Sequence, residues 1–501
     1  MTCEAGAGGD LTRNRDVPTS DLCIPATKLF SKLDAYMDEE LYNHNSDCTP
    51  AAAGVRQQKA DQVEQSLRCA IKCFTIRWLL LAPQVDHLAT DQVSEIIRDS
   101  WRTARKDMLK VINRVSYRSM FTLYLFAQTP IPIGISEDEE LDGISGSACM
   151  QTALFQLQKL RERQGSCQFN GSKISTWTAS LPSTSLTQGF LDFESRAYWA
   201  AVIWDTSCSL TLNFRTSLTS GLKGACAEPA WRLARSFLVG SFHPETEDWR
   251  ANGFELCDDI ASKIISAAAV SNLYIWKNIT SLKEALREGV DENSVLFAWK
   301  SLLDAIHIFK TSIRPLIDMC ERRIHFLDQV RRLNWYEVSL KYYLGILVLV
   351  NTLQAAGRDD LLLGVAEARG NAEHESFNVL KFGLENTYTI CGPGGDSNAG
   401  PNAVGSTEFP EKTITASFIA IDPYPQYVVE SVLLMSKVAD QPYWQGKIKH
   451  ETYIHLSSIL RNALEQLPQS SKSVQAARES LQHHFVNTTL SLSRRSDLHR
   501  E

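Results

Sequence analysis

The sequence predicts an all-α protein, a multi-helix domain, and three observations carry that prediction. Apolar residues recur at three- and four-residue intervals through most of the chain, the spacing that gathers side chains on one helix face. Residues 335–353 are apolar on nearly every side, as in a helix buried all round. No segment alternates strictly enough between apolar and polar residues to predict a strand.

Taken in order, residues 1–60 read as a mostly flexible N-terminal segment, because 1–20 are Gly-rich and polar and 43–60 polar and Ala-rich. A helical domain is expected over 61–485. Val63, Leu67, Ala70, Ile71, Phe74 and Trp78 share one helix face, and Pro83 ends that helix. Val93, Ile96, Ile97, Trp101 and Leu109 predict the next, running towards Tyr124 and stopping before Pro130 and Pro132. Residues 149–163 predict a further helix, followed by a polar loop over 164–187. Another helix is predicted over 194–214. Ile260, Ile264, Ala267, Ala268 and Ser271 keep helical register, as do Leu296, Trp299, Leu303, Ile306 and Ile313. Five Gly and two Pro over 391–405 mark an insertion, and helices resume at 426–438 and 451–467. Residues 486–501 read as a flexible tail.

Composition narrows the class. At 501 residues, with 44% hydrophobic and 22% charged residues, the chain matches a soluble globular protein with a large core. A net charge of −7 argues against a broad phosphate-binding surface, which needs Lys and Arg in excess. The twelve cysteines are scattered and include no Cys-x-x-Cys, so neither a zinc site nor a disulfide framework is expected. Reduced, intracellular thiols are the expectation. The N-terminus lacks the apolar core of a secretion signal. The most apolar run, 342–353, is shorter than the roughly 20 residues that cross a bilayer, so no membrane contact is expected. The sequons at Asn170, Asn278 and Asn487 are then coincidences of composition.

Several motifs resemble catalytic or metal sites and fall short of them. Asp138-Glu139-x-x-Asp142 mimics the aspartate-rich motif of helical terpene synthases, but the second metal-binding segment that chemistry needs is missing. Ser136 and Glu139 fit a capping box at a helix start instead. His450 and His455 carry one residue too many for His-Glu-x-x-His, and diverge by roughly 140° at about 100° per residue. His483 and His484 diverge likewise. Gly143-Ile144-Ser145-Gly146 is one residue short of a nucleophile elbow, and the 391–405 insertion lacks a phosphate-loop pattern. Arg331-Arg332 and Arg494-Arg495 read as solvated charge. No catalytic residue, cofactor or metal is expected.

The most telling segment is 194–215, ESRAYWAAVIWDTSCSLTLNFR, in which Arg196-x-x-Trp199 precedes an apolar run, Asp205 and then Ser209-x-x-x-x-x-Arg215. Arg196 and Asp205 lie nine residues apart and about 180° out of phase, so each should find its own partner on neighbouring helices. Tyr198, Trp199 and Trp204 should pack in the core, with an aromatic-lined inducer pocket as the alternative.

This order resembles the middle homology region, the regulatory domain of fungal zinc-cluster transcription factors, in particular the alcohol-utilisation activator subgroup. Residues 116–146, 194–218, 342–362, 377–390 and 416–438 carry the resemblance in a shared order across about 69–481. It implies an all-helical regulatory domain, a nuclear location and control of metabolic or secondary-metabolite genes. Arg196, Trp199, Asp205 and Arg215 are its signature residues. It also implies an N-terminal zinc cluster, which needs six closely spaced thiolates that residues 1–60 do not supply. Either the chain is a natural variant or its start was lost to truncation or a gene-model error; direct DNA contact is not expected of these residues. The expected partners are other transcription regulators or the transcription machinery, in a homo- or heterodimer. A small-molecule-sensing helical domain and, more remotely, a terpenoid-type enzyme are the alternative readings.

Overall fold

The computed structural model describes residues 25–44, 50–81, 90–163, 188–212, 214–218, 229–250, 254–391 and 413–483. The 164–187 loop, most of the 391–405 insertion and the 486–501 tail lie outside the described residues. Helices dominate, as the apolar spacing predicts. In chain order they are α1 (Ala26–His44), α2 (Pro50–Thr75), α3 (Thr90–Leu109), α4 (Tyr117–Ala127), α5 (Glu137–Leu141), α6 (Gly146–Arg163) and α7 (Gln188–Leu212). Next come α8 (Pro229–Ser236), α9 (Asp258–Glu288), α10 (Glu292–Ile308), α11 (Arg314–Arg322), α12 (Gln329–Ala355) and α13 (Ala366–Glu385). The last are α14 (Pro425–Trp444), α15 (His450–Gln466) and a final helix over 472–483.

Three expectations need correction. The segment read as flexible contains α1 and the start of α2. Leu29, Phe30 and Leu33 of α1 are all at most 2% exposed, a burial strong enough to order a helix between polar flanks. The helix expected to run from Val93 towards Tyr124 is two helices. Ser116 starts the second by accepting the Ser119 amide at 3.1 Å, satisfying a free donor of its first turn. Third, two strands occur, β1 (Thr387–Cys391) and β2 (Thr413–Ser417), paired antiparallel with Thr389 opposite Thr415.

The single helical domain expected over 61–485 divides into two compact units. One comprises Met1–Phe74, Arg102–Thr129 and Glu137–Ala372; the other comprises Thr75–Trp101, Pro130–Ser136 and Glu373–Glu501. In the first unit α9 is the centre, packed by α7, α10 and α12. Asn272 of α9 donates to the Val338 carbonyl at 2.7 Å, and Trp276 donates to the Lys341 carbonyl at 3.0 Å. Gly345 permits this approach, since a Cβ there would lie 2.7 Å from Trp276 Nε1. Asn278, the sequon asparagine, is fully buried in α9, where no glycan could be accommodated. The α12 helix runs beyond the apolar 342–353 stretch to 27 residues, long and apolar enough to cross a bilayer by length and composition, and 72% of its apolar window is buried.

In the second unit, residues 130–136 pair with the chain near Ser471: the Ile133 amide donates to Ser470 O at 2.8 Å and the Lys472 amide to Ile131 O at 2.9 Å. Trp78 donates to Ala420 O at 3.0 Å, and Arg77 to Pro423 O at 2.8 Å. Tyr453 of α15 donates to the buried Asp440 carboxylate of α14 at 2.8 Å.

Candidate functional site

The signature segment forms α7 and the turn after it, and its charges are spent inside the first unit. Trp199 is 3% exposed and meets Trp231 of α8 edge-on, with ring centroids 6.0 Å apart. On another face Trp204 stacks on Tyr124 at 3.6 Å, beside the stacked pair Phe30 and Phe121. The inward Glu194 carboxylate lies 2.8 Å from the Arg161 guanidinium, which also covers the Tyr198 ring at 3.8 Å. Burial raises the Glu194 pKa above its ordinary value, against the opposing pull of Arg161.

Asp205 explains the turn. Its carboxylate, 2% exposed, accepts the Ser217 amide at 2.9 and 3.0 Å and the Leu218 amide at 2.8 Å. These contacts are with the backbone just beyond its own helix. The buried acid satisfies amides in irregular chain that no ladder could serve. Helix α9 holds the same turn from the other side. Arg215 Nε lies 2.8 Å from the buried Glu284 carboxylate, Lys277 Nζ lies 3.5 Å from Thr216 Oγ1, and Lys283 donates to Leu210 O at 2.6 Å. A cation on the last carbonyls of α7 suits the negative end of the helix dipole. Arg196 sits half-buried on the same helix.

The other candidates are not brought together. Asp138 and Asp142 are exposed at the short helix α5, where Arg102 takes Glu139 at 2.6 Å and Arg105 donates to Glu140 O at 2.8 Å. His450 Nδ1 is 2.7 Å from the Tyr443 hydroxyl. Among the described residues no group of three His, Cys, Asp or Glu could hold a metal ion. Burial pushes the thiols of Cys149, Cys208 and Cys320 up to about 12, which leaves them protonated and unreactive near neutrality.

One cluster was not anticipated from the sequence. Two helices of the first unit pass into π turns, over Phe237–Phe242 and Phe309–Ile313, with the His243 amide bonded to Leu238 O and the Arg314 amide to Phe309 O, five residues back. Where they meet, His243 Nδ1 is 2.8 Å from Ser312 Oγ. Arg250 donates to His243 O at 3.0 Å, to Thr246 Oγ1 at 2.8 Å and to Ser312 O at 3.2 Å. These residues are isolated in the sequence, so only tertiary packing reveals them. No family model, curated protein or solved structure matches the chain.

Proposed function

We propose that the chain is a regulatory domain of the fungal zinc-cluster transcription factor type, working in the nucleus on metabolic or secondary-metabolite genes. It acts by contacts with other regulators or with the transcription machinery, in homo- or heterodimers, and not by catalysis. DNA contact is supplied by a partner or by sequence outside these 501 residues. The ordered run of segments from 116–146 to 416–438 supports this reading. So does the use of Trp199, Asp205 and Arg215 to fix one helix and its following turn, which is the part a fold signature plays.

The test is recovery of chromatin fragments with the tagged chain in cells. Recovery is expected to depend on a separate DNA-binding regulator and to vanish when that regulator is removed. Recovery of no chromatin in any background would sink the proposal. Magnesium-dependent turnover of a prenyl diphosphate, abolished by Asp138→Ala, would replace it with the enzyme reading.

A further inference from the structure

The cluster at the two π turns carries a feature the protein contacts do not use. Arg250 is half-buried, and its three hydrogen bonds go to neutral oxygens, two carbonyls and a hydroxyl. Its Nε is shielded from solvent and has no hydrogen-bond partner among the described residues. No carboxylate among the described residues lies within ion-pair distance of it; Glu247 acts only from further away. A half-buried guanidinium with no carboxylate in reach among the described residues is costly, and a bound anion would relieve that cost. Burial accordingly lowers the Arg250 pKa, with Glu247 opposing.

The surroundings narrow the anion. The His243 ring, whose Nδ1 lies 2.8 Å from Ser312 Oγ, adds a second polar group beside the guanidinium. Next in the chain, Trp249 is half-buried, stacked with Phe254 at 5.9 Å and edge-on to Phe242 at 6.5 Å. A single guanidinium charge, with the Trp249 ring next to it in the chain, suits a monoanionic carboxylate on an apolar body. A phosphate dianion would call for more than one cation. Helical π turns are rare and concentrate at functional sites, and here two meet.

We propose that His243, Arg250 and Ser312, with Trp249 as the apolar wall, form a binding site for a small organic carboxylate. The site goes beyond the regulatory reading and stands on the fold alone, so either can fail without the other.

The test is calorimetric titration of the full chain with benzoate, with its neutral counterpart benzamide and with inorganic phosphate. Benzoate is expected to bind and to change tryptophan fluorescence, benzamide to bind at least about ten-fold more weakly, and phosphate to give no heat. Arg250→Gln should weaken benzoate binding about ten-fold or more, the loss expected when a charge-assisted pair is removed. His243→Asn, which keeps a hydrogen-bonding group for Ser312, gives an independent reading should Arg250→Gln not fold. No heat from benzoate at about 10 mM, equal binding of benzamide, preference for phosphate, or binding untouched by His243→Asn overturns the site.

Discussion

Arg215 and Arg250 belong to the same helical unit and live in opposite surroundings. Arg215 is more than half exposed, yet it faces a buried carboxylate, Glu284, at 2.8 Å. Arg250 is half-buried and, among the described residues, its hydrogen bonds go to neutral oxygens. Around α7 three charges are answered from within the molecule: Glu194 by Arg161, Asp205 by two amides, Arg215 by Glu284. Between the π turns Arg250 has no carboxylate within ion-pair distance among the described residues. The contrast teaches that motif residues recognised by their order can be architectural, while a ligand-seeking group can sit where no motif announces it.

Four measurements sharpen or break that contrast. The largest effect is expected for Asp205→Ala, which strands two amides and the turn they hold; a loss on the order of 3 kcal/mol should appear in urea unfolding. A loss under about 0.5 kcal/mol would show that the turn is held by other means.

Second comes Glu194. Its folded pKa is raised by burial, so the folded state keeps its proton at pH values where the unfolded chain has released it. Stability is therefore favoured below about 4.5 and falls as pH rises from there through the raised value, with a slope of up to about 1.4 kcal/mol per pH unit. Glu194→Gln should flatten that part of the urea-midpoint profile; an unchanged slope would show that Arg161 outweighs burial.

Third, Arg215→Ala should cost about 1 kcal/mol, because its side chain is 58% exposed and solvent screens the pair. The smallest effect is expected for Arg250→Gln, within about 0.5 kcal/mol of the parent, since losing a desolvated charge offsets the lost hydrogen bonds. A loss as large as that of Asp205→Ala would make Arg250 architectural too.

Much of the fold is legible in the sequence because burial writes a period into it. Val63, Leu67, Ala70 and Phe74 are all in the core, and 335–353 lies within a helix buried on most sides. The misses share a cause: local signals too short to beat their flanks. Leu29, Phe30 and Leu33 already show helical spacing, but the polar stretches around them obscure it. The strands alternate Thr with Tyr, Ile and Ala over five residues each, a weak pattern until the two are paired across a long connection. Of the signature residues, Trp199 lies in the core as expected, while the backbone amides that Asp205 accepts carry no signal in the sequence. His243 and Ser312 are separated by 69 positions, and nothing in either neighbourhood points to the other.

The two π turns carry a consequence for how this chain tolerates length changes. Bonding five residues back rather than four accommodates one extra residue in the helix, so removing one residue from 237–242 or 309–313 would let ordinary helix close over the gap. The far side would keep its facing, because the wide turn is what now absorbs the extra residue. The imidazole and the hydroxyl that now touch sit at those wide turns, so closing either turn would part them while the flanking helices stay in place. A single-codon deletion could thus erase the contact while leaving helix content nearly intact.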